Sequence, residues 1–150
     1  MTIGTIKGLL FVMLLILAAV SDLRKREIPD IIPFFILLTG FLSINLLDAF
    51  LGLILTGFPY LLAAVLIQKE SGLSMGGGDI KLMAACGFVL GVPFGALQSI
   101  ISLIIALVIS LCARLFSSNR KLSSITLPLA PFFCVGGIFS YSALLLSAIN

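Results

Sequence analysis

The sequence predicts an all-α membrane protein, a bundle of six transmembrane helices in which the fourth helix is short. Hydrophobic residues make up 61% of the 150 residues and charged residues only 10%, and the mean hydropathy is +1.31. Such values lie outside the range of soluble globular domains and are typical of chains that are solvated by lipid. Because one crossing needs roughly 20 apolar residues, six helices would fill the chain. We therefore expect a single integral membrane domain over residues 1–150.

The six predicted helices correspond to apolar runs that are separated by short polar stretches. The runs cover residues 3–20, 31–47, 49–67, 80–92, 94–115 and 128–148. The first run is interpreted as a helix of the mature chain, because its basic cluster follows the apolar run instead of preceding it, unlike a signal peptide. The fourth run would span only about 20 Å as a helix, less than the roughly 30 Å of a hydrocarbon core. It is predicted to cross a thinned region, and a re-entrant segment is the alternative.

Basic residues indicate the orientation of the bundle, since Lys and Arg are retained on the cytoplasmic side of a membrane. With the N-terminus outside and six crossings, Lys7 is the only one of the nine basic residues that falls outside. The inner ones are Arg24, Lys25, Arg26, Lys69, Lys81, Arg114, Arg120 and Lys121. Both termini are therefore predicted to lie outside. The net charge of +3 is explained by this orientation, and no nucleic-acid-binding motif is present.

Two aspartates adjoin apolar runs. A carboxylate loses hydration at such a position, which is energetically costly, so an unpaired one there indicates a functional site. Asp22 follows the first run, and Asp79 ends a polar loop predicted over residues 68–79 that contains Gly76, Gly77 and Gly78. The glycines predict a mobile loop that admits close backbone approach. Two carboxylates that share one proton can hydrolyse an amide, because the ionised one draws a proton from water while the other donates to the carbonyl oxygen.

Each aspartate also has a structural interpretation. Asp22 would pair with one of the basic residues 24–26, and Asp79 would act as the N-cap of a helix beginning at Ile80. A different function is a small proton- or cation-coupled transporter or channel subunit in which Asp79 binds the ion. A third alternative is a non-catalytic assembly or anchoring protein, for which Asp→Asn variants would function normally.

The residues around the two aspartates resemble a known family. Ser-Asp-Leu-Arg at 21–24 with Ile-Pro at 28–29, and Gly-Gly-Gly-Asp-Ile-Lys at 76–81, are similar to the two active-site signatures of the type IV prepilin peptidases and preflagellin peptidases. These are intramembrane aspartyl enzymes with a G-x-G-D motif. The resemblance implies that Asp22 and Asp79 are the catalytic pair. Residues 128–132, Pro-Leu-Ala-Pro-Phe, are similar to the start of the last helix in that family.

The resemblance also implies the activity. We expect a membrane aspartic endopeptidase that cleaves the short basic leader from type IV prepilin-like or preflagellin-like precursors at the cytoplasmic membrane face. The expected partners are those precursors, with a basic leader and a hydrophobic helix, and the lipid bilayer. No cofactor is expected, and no metal, because two carboxylates without further convergent ligands make a poor cation site. No counterpart of the family's N-methyltransferase region is recognised, so a peptidase-only form is expected, as in tight-adherence pilus systems or archaeal preflagellin peptidases.

Four further polar residues are predicted to support the site. Glu27, Asp30 and Glu70 lie on the same predicted face and would attract a basic leader; alternatively, they balance the neighbouring basic side chains. The family commonly has Asn at the position of Asp30. Arg24 is predicted to orient loop backbone, lipid phosphate or a nearby acid, and Lys81 to be a snorkelling anchor at the membrane interface.

Overall fold

The computed structural model of the protein describes residues 3–42, 45–71, 76–116 and 128–148. These residues form five helices and contain no strand, which confirms the all-α class. The helices are α1 (Ile3–Lys25), α2 (Ile31–Gly40), α3 (Leu46–Ser71), α4 (Gly77–Phe116) and α5 (Ala130–Ser147).

The predicted count of six helices is wrong, because the fourth and fifth predicted segments both belong to α4. The backbone of α4 is nevertheless interrupted at Gly91, where φ is 73° and ψ is −175°. A Cβ atom built on Gly95 would lie 3.2 Å from the Cα of Gly87, whereas eight residues of straight helix cover about 12 Å. The chain therefore reverses direction at Gly91 without a loop. We call residues 77–90 the first arm of α4 and residues 92–116 the second arm.

Asp48 stabilises this reversal from α3. Its Oδ1 atom accepts a hydrogen bond of 3.1 Å from the N–H of Val92, the first residue of the second arm. A carboxylate at the start of a helix satisfies a backbone donor that has no partner within the helix. The Asp48 side chain also occupies the space where a side chain at position 91 would begin. Glycine is therefore favoured at position 91 both by this close approach and by the positive φ.

The lengths of the helices indicate a multi-pass membrane protein. Four of them contain a stretch long and apolar enough to cross a bilayer, namely Ile3–Lys25, Leu46–Leu66, Gly77–Cys112 and Ala130–Ser147. The second predicted span is shorter than expected, because α2 has only 10 residues and so covers about 15 Å. The polar loop is also shorter than predicted: α3 continues to Ser71 and α4 begins at Gly77. Gln68, Lys69 and Glu70 are good helix formers and extend α3 beyond its apolar part.

Contacts between helices define two ends of the bundle. At one end, Asp22 of α1 contacts Ala130 of α5 through a hydrogen bond of 2.9 Å. At the other end, the hydroxyl of Tyr141 in α5 donates to the carbonyl oxygen of Gly4 in α1 at 2.6 Å. Helices α1 and α5 are therefore antiparallel along their length. We call these the Asp22 end and the Gly4 end.

The core lies where α1, α2, α4 and α5 meet, and it consists of fully buried apolar side chains. Phe11, Leu15, Ile36, Leu82 and Met83 are each 0% exposed. Many other large apolar side chains are exposed on the outer helix faces, as expected where lipid is the solvent. Exclusion of water cannot drive packing in lipid, so the helices depend on close van der Waals contact and interhelical hydrogen bonds. One such bond runs from Nε2 of the buried Gln98 to the carbonyl oxygen of Phe133, at 3.0 Å.

Glycines bring the backbones of α3 and α4 into close contact. A Cβ atom on Gly52 would overlap the carbonyl oxygen of Gly87 and lie 2.8 Å from the carbonyl carbon of Gly91. These are backbone atoms, which cannot move aside as a flexible side chain can. Close backbone approach at small residues is the usual way in which membrane helices gain packing energy.

We predict that Gly52→Ala lowers the free energy of unfolding by about 1–3 kcal/mol, the usual cost of overpacking. The matched control is Gly4→Ala in α1, where a Cβ atom would meet only a side-chain atom of Leu145 at 3.5 Å. Alanine is favoured over glycine inside a helix, so this variant should be as stable as the wild type or slightly more stable. Thermal unfolding of both variants in the same detergent tests the prediction, and equal midpoints would contradict the close α3–α4 contact.

Candidate functional site

The last residues of α1 turn the chain back across the end of the helix. The N–H of Arg26 donates to the carbonyl oxygen of Asp22 at 2.8 Å, and Arg26 has a positive φ of 55°. This left-handed conformation is a common way to end a helix but is unusual for a residue with a side chain. The hydroxyl of Ser21 donates to the carbonyl oxygen of Glu27 at 3.0 Å. Both contacts fix residues 26–28 beside the carboxylate of Asp22.

Asp22 is held by the start of α5. It is only 7% exposed, and its Oδ2 atom accepts a hydrogen bond of 2.9 Å from the N–H of Ala130, the first residue of that helix. The positive end of a helix dipole and an unpaired N–H both favour a carboxylate at this position. The structural interpretation of Asp22 placed it against the basic residues 24–26, of which Arg24 and Lys25 have exposed side chains. The described hydrogen bond connects Asp22 to a residue 108 positions away in the sequence, and a pairing with a basic residue of 24–26 stays a prediction.

Asp79 lies in the first turn of α4. The helix begins at Gly77, two residues before Asp79, so the interpretation of Asp79 as the N-cap of a helix starting at Ile80 is wrong. Its N–H donates to the carbonyl oxygen of Gly76 at 3.0 Å. Its Oδ1 atom is buried and has no hydrogen-bond partner among the described residues. A buried polar atom in this state carries a desolvation cost and is a candidate for binding water or substrate.

The two aspartates line the same cavity at the Asp22 end, a space of about 230 Å³. They are near enough to interact electrostatically. The remaining lining residues are Arg26, Glu27, Ile28, Gly76, Gly77 and Gly78. Six of the predicted site residues are therefore brought together by the fold, namely Asp22, Glu27, Gly76, Gly77, Gly78 and Asp79.

Three other predicted site residues are placed differently. Arg24 is exposed and does not line the cavity. Asp30 also lies outside the lining, and both of its carboxylate oxygens accept hydrogen bonds from Nζ of Lys81, at 2.7 and 2.8 Å. Lys81, predicted as a snorkelling anchor, thus forms an exposed ion pair between α4 and the start of α2. The backbone of Glu70 belongs to α3, but its side chain lies outside the described residues.

The sequence did not predict Arg26, Ile28 and Ala130 as parts of the site. Arg26 lies within a basic run that was interpreted as a topology signal and as a possible partner of Asp22, and Ile28 lies within the Ile-Pro part of the first signature. Ala130 contributes through its backbone N–H. Since every residue other than proline has such a group, the residue type carries no signal for this contact.

The three glycines of the second signature differ in their surroundings. A Cβ atom on Gly78 would lie 3.0 Å from the Cβ and 3.3 Å from the carbonyl oxygen of Ile28. On Gly76 it would lie 3.2 Å from Oδ2 of Asp79, whereas on Gly77 it would meet nothing within 4 Å. The first and third glycines therefore allow close packing around Asp79, and the second faces open space.

The fold and this cavity define a helical, multi-pass membrane protein with a carboxylate pair at one end of its bundle. Comparison with known proteins shows which family it is. Residues 9–111 match the model of the type IV leader peptidase family. The chain therefore belongs to this family, as its two signatures predicted.

Two curated relatives agree with this assignment. The chain is 36% identical over 137 residues to the "Prepilin leader peptidase/N-methyltransferase" of Bacillus subtilis (strain 168), a match that covers 89% of this chain and 54% of the relative. It is 31% identical over 136 residues to the "Type 4 prepilin-like proteins leader peptide-processing enzyme" of Escherichia coli O78:H11 (strain H10407 / ETEC), covering 83% and 46%. The chain thus spans about half the length of these relatives. No solved structure matches the chain significantly.

We predict that Gly78→Ala is less stable than Gly77→Ala by about 1 kcal/mol, because only the first forces Ile28 and its backbone away from the cavity. Both substitutions place alanine in the first turn of the same helix, so the difference in helix propensity cancels. Thermal unfolding of the two variants in one detergent measures the difference. If Gly77→Ala were equally or more destabilised, the contact between Gly78 and Ile28 would not be the cause.

Proposed function

We propose that the chain is a membrane aspartic endopeptidase that removes the leader from type IV prepilin-like or preflagellin-like precursors, with Asp22 and Asp79 as its catalytic pair. The observation that carries the proposal is the shared cavity, in which two carboxylates from distant parts of the sequence interact. Membership in the type IV leader peptidase family supports the reaction class. The names of both relatives, which refer to prepilin or prepilin-like leader processing, support the substrate class.

The chemistry follows from two carboxylates that share one proton. The ionised carboxylate takes a proton from water as the water oxygen attacks the scissile carbonyl carbon, and the protonated carboxyl gives its proton to the carbonyl oxygen. The carboxyl that took the proton from water then gives it to the amide nitrogen, the C–N bond breaks, and the other carboxylate takes a proton from a hydroxyl of the intermediate, which restores the pair. The hydrogen bond from Ala130 holds Oδ2 of Asp22 in place. The pair is thereby pre-positioned, which lowers the cost of ordering it during the reaction.

The location of the cavity fits a substrate that is partly in the membrane. The cavity lies at one end of a bundle whose outer faces are apolar. A precursor with a hydrophobic helix would place that helix in the bilayer beside the bundle, with its polar leader reaching the cavity. Arg24, Lys25 and Lys81 lie near the Asp22 end and Lys7 near the Gly4 end. This charge distribution supports a cytoplasmic location for the Asp22 end, because basic residues are retained on that side.

Among the predicted leader-binding acids, the described contacts favour Glu27. Glu27 is exposed and lines the cavity. The carboxylate of Asp30 is already paired with Lys81, which leaves less negative potential for a second cation. We therefore infer that Glu27 attracts the basic leader and that Asp30 contributes less.

We expect Asp22→Asn and Asp79→Asn each to reduce cleavage of a purified precursor in detergent by at least about 100-fold, the contribution typical of general acid–base catalysis. Asparagine preserves the shape of the side chain but cannot accept and release the proton. The matched control is Asp48→Asn near the Gly4 end, whose amide oxygen can still accept the N–H of Val92. Sequencing of the mature N-terminus measures the product. Full activity of either site variant would remove that residue from the mechanism, and the transporter alternative predicts no cleavage by any of the proteins.

We expect Glu27→Gln to lower kcat/KM for a precursor with a lysine-containing leader by about 2- to 5-fold, the effect of one exposed charge pair. The effect should shrink as salt is added, because screening weakens interactions between exposed charges. Asp30→Asn should have a smaller effect, and a precursor with a neutral leader should not distinguish Glu27→Gln from the wild type. Equal rates for wild type and Glu27→Gln on both precursors at low salt would end this assignment.

A further inference from the structure

Helix α3 and the first arm of α4 pack as antiparallel neighbours with a regular register. Gly52 contacts Gly87, and the hydroxyl of Thr56 donates to the carbonyl oxygen of Met83 at 3.0 Å. Four residues forward along α3 thus correspond to four residues back along the first arm. Residues four apart lie on the same helix face, one turn along. One further turn brings Tyr60 of α3 to the level of Asp79.

Two buried polar atoms lie at this level without a hydrogen-bond partner among the described residues. They are the hydroxyl oxygen of Tyr60 and Oδ1 of Asp79. Tyr60 is only 5% exposed, and its hydroxyl oxygen lies near the hydroxyl of Ser99, which is also buried, and within electrostatic range of Asp79. A tyrosine hydroxyl both donates and accepts, and buried polar groups almost always find partners. If Ser99 donates to the phenolic oxygen, the proton of Tyr60 is left for Oδ1 of Asp79, directly or through one bridging water.

The ring of Tyr60 is fixed by the helix that also holds Asp22. It packs edge-on against Phe133 of α5, with ring centroids 5.6 Å apart and an interplanar angle of 87°. Phe133 lies about one turn after Ala130, whose N–H binds Asp22. The first turn of α5 thus contacts Asp22 through Ala130 and the ring of Tyr60 through Phe133. Such a ring can hold its hydroxyl in one place, which a positioning residue must do.

We propose that Tyr60 is the positioning residue for Asp79, its hydroxyl donating to Oδ1 of Asp79 directly or through one water. The proposal rests on the proposed peptidase function, in which Asp79 exchanges a proton with the substrate. Tyr60 does not line the cavity, so it acts from behind the carboxyl without touching substrate. It fixes the orientation of Asp79 and leaves the other oxygen, Oδ2, for the reaction.

The test compares Tyr60→Phe with Tyr141→Phe, since the chain contains two tyrosines. Tyr60→Phe removes one hydroxyl and keeps the ring that packs against Phe133. With a lysine-leader precursor in detergent, we expect kcat to fall about 10- to 100-fold, the size expected for one hydrogen bond to a charged group. KM should change little, and the pH–rate profile should shift. Tyr141→Phe loses its bond to Gly4 at the other end and should keep the kinetics and pH profile of the wild type.

A spectroscopic measurement separates this proposal from the peptidase assignment. The infrared carboxyl bands of Asp79, identified by their loss in Asp79→Asn, should differ between wild type and Tyr60→Phe and be unchanged in Tyr141→Phe. If the wild type cleaved no precursor but the Asp79 band still changed in Tyr60→Phe, the contact between Tyr60 and Asp79 would be supported. Only the proposed peptidase function would then be overturned. Unchanged bands and unchanged kinetics in Tyr60→Phe would overturn the role of Tyr60. A loss of kcat with an unchanged pH profile and unchanged bands would also overturn it, because packing alone would then explain the loss.

Discussion

The hydrogen bond between Ala130 and Asp22 is the contact on which the site depends. It joins the end of the first helix to the start of the last one. A carboxylate that is almost fully buried at the end of an apolar bundle needs such a partner, because an unpaired charge there would be strongly destabilising. The N-terminus of a helix supplies both an unpaired N–H and a favourable dipole. The same contact thus stabilises the bundle and fixes one oxygen of the proposed catalytic pair.

The second carboxylate depends on a different constraint, the close packing of α3 on the first arm of α4. Glycines at 52 and 87 remove the side chains that would hold these helices apart. The reversal at Gly91 then returns the chain towards the Asp22 end without a loop, while Asp48 supplies the partner for the N–H of Val92. The regular register continues to Tyr60 and Asp79, which it places at the same level of the two helices. The position of Asp79 is therefore set by backbone contacts that lie more than two helical turns away from it.

Charged residues near the Asp22 end make different contacts, which their positions in the sequence do not predict. Asp30 and Lys81 pair at the surface and connect α2 to α4, an arrangement that contributes at most about 1 kcal/mol when exposed. Glu27 is exposed at the cavity, and the proposed function assigns it the attraction of a cationic leader. Glu27 and Asp30 are both acids close to the first signature, and only their contacts distinguish them.

The amino-acid sequence by itself determined the all-α membrane class, the family, and the two short signatures that contain Asp22 and Asp79. The class follows from hydropathy, which depends only on composition. The family follows from the two signatures, because each consists of consecutive residues around Asp22 or Asp79. The sequence did not determine the number of helices, since Gly91 and Pro93 mark a break but not whether a loop follows. Only the tertiary structure decided that Asp79 lies in the first turn of α4, that Ala130 binds Asp22 through its backbone, and that Tyr60 lies level with Asp79. These contacts join residues far apart in the chain, and they arise from helix register and backbone groups that no residue type specifies.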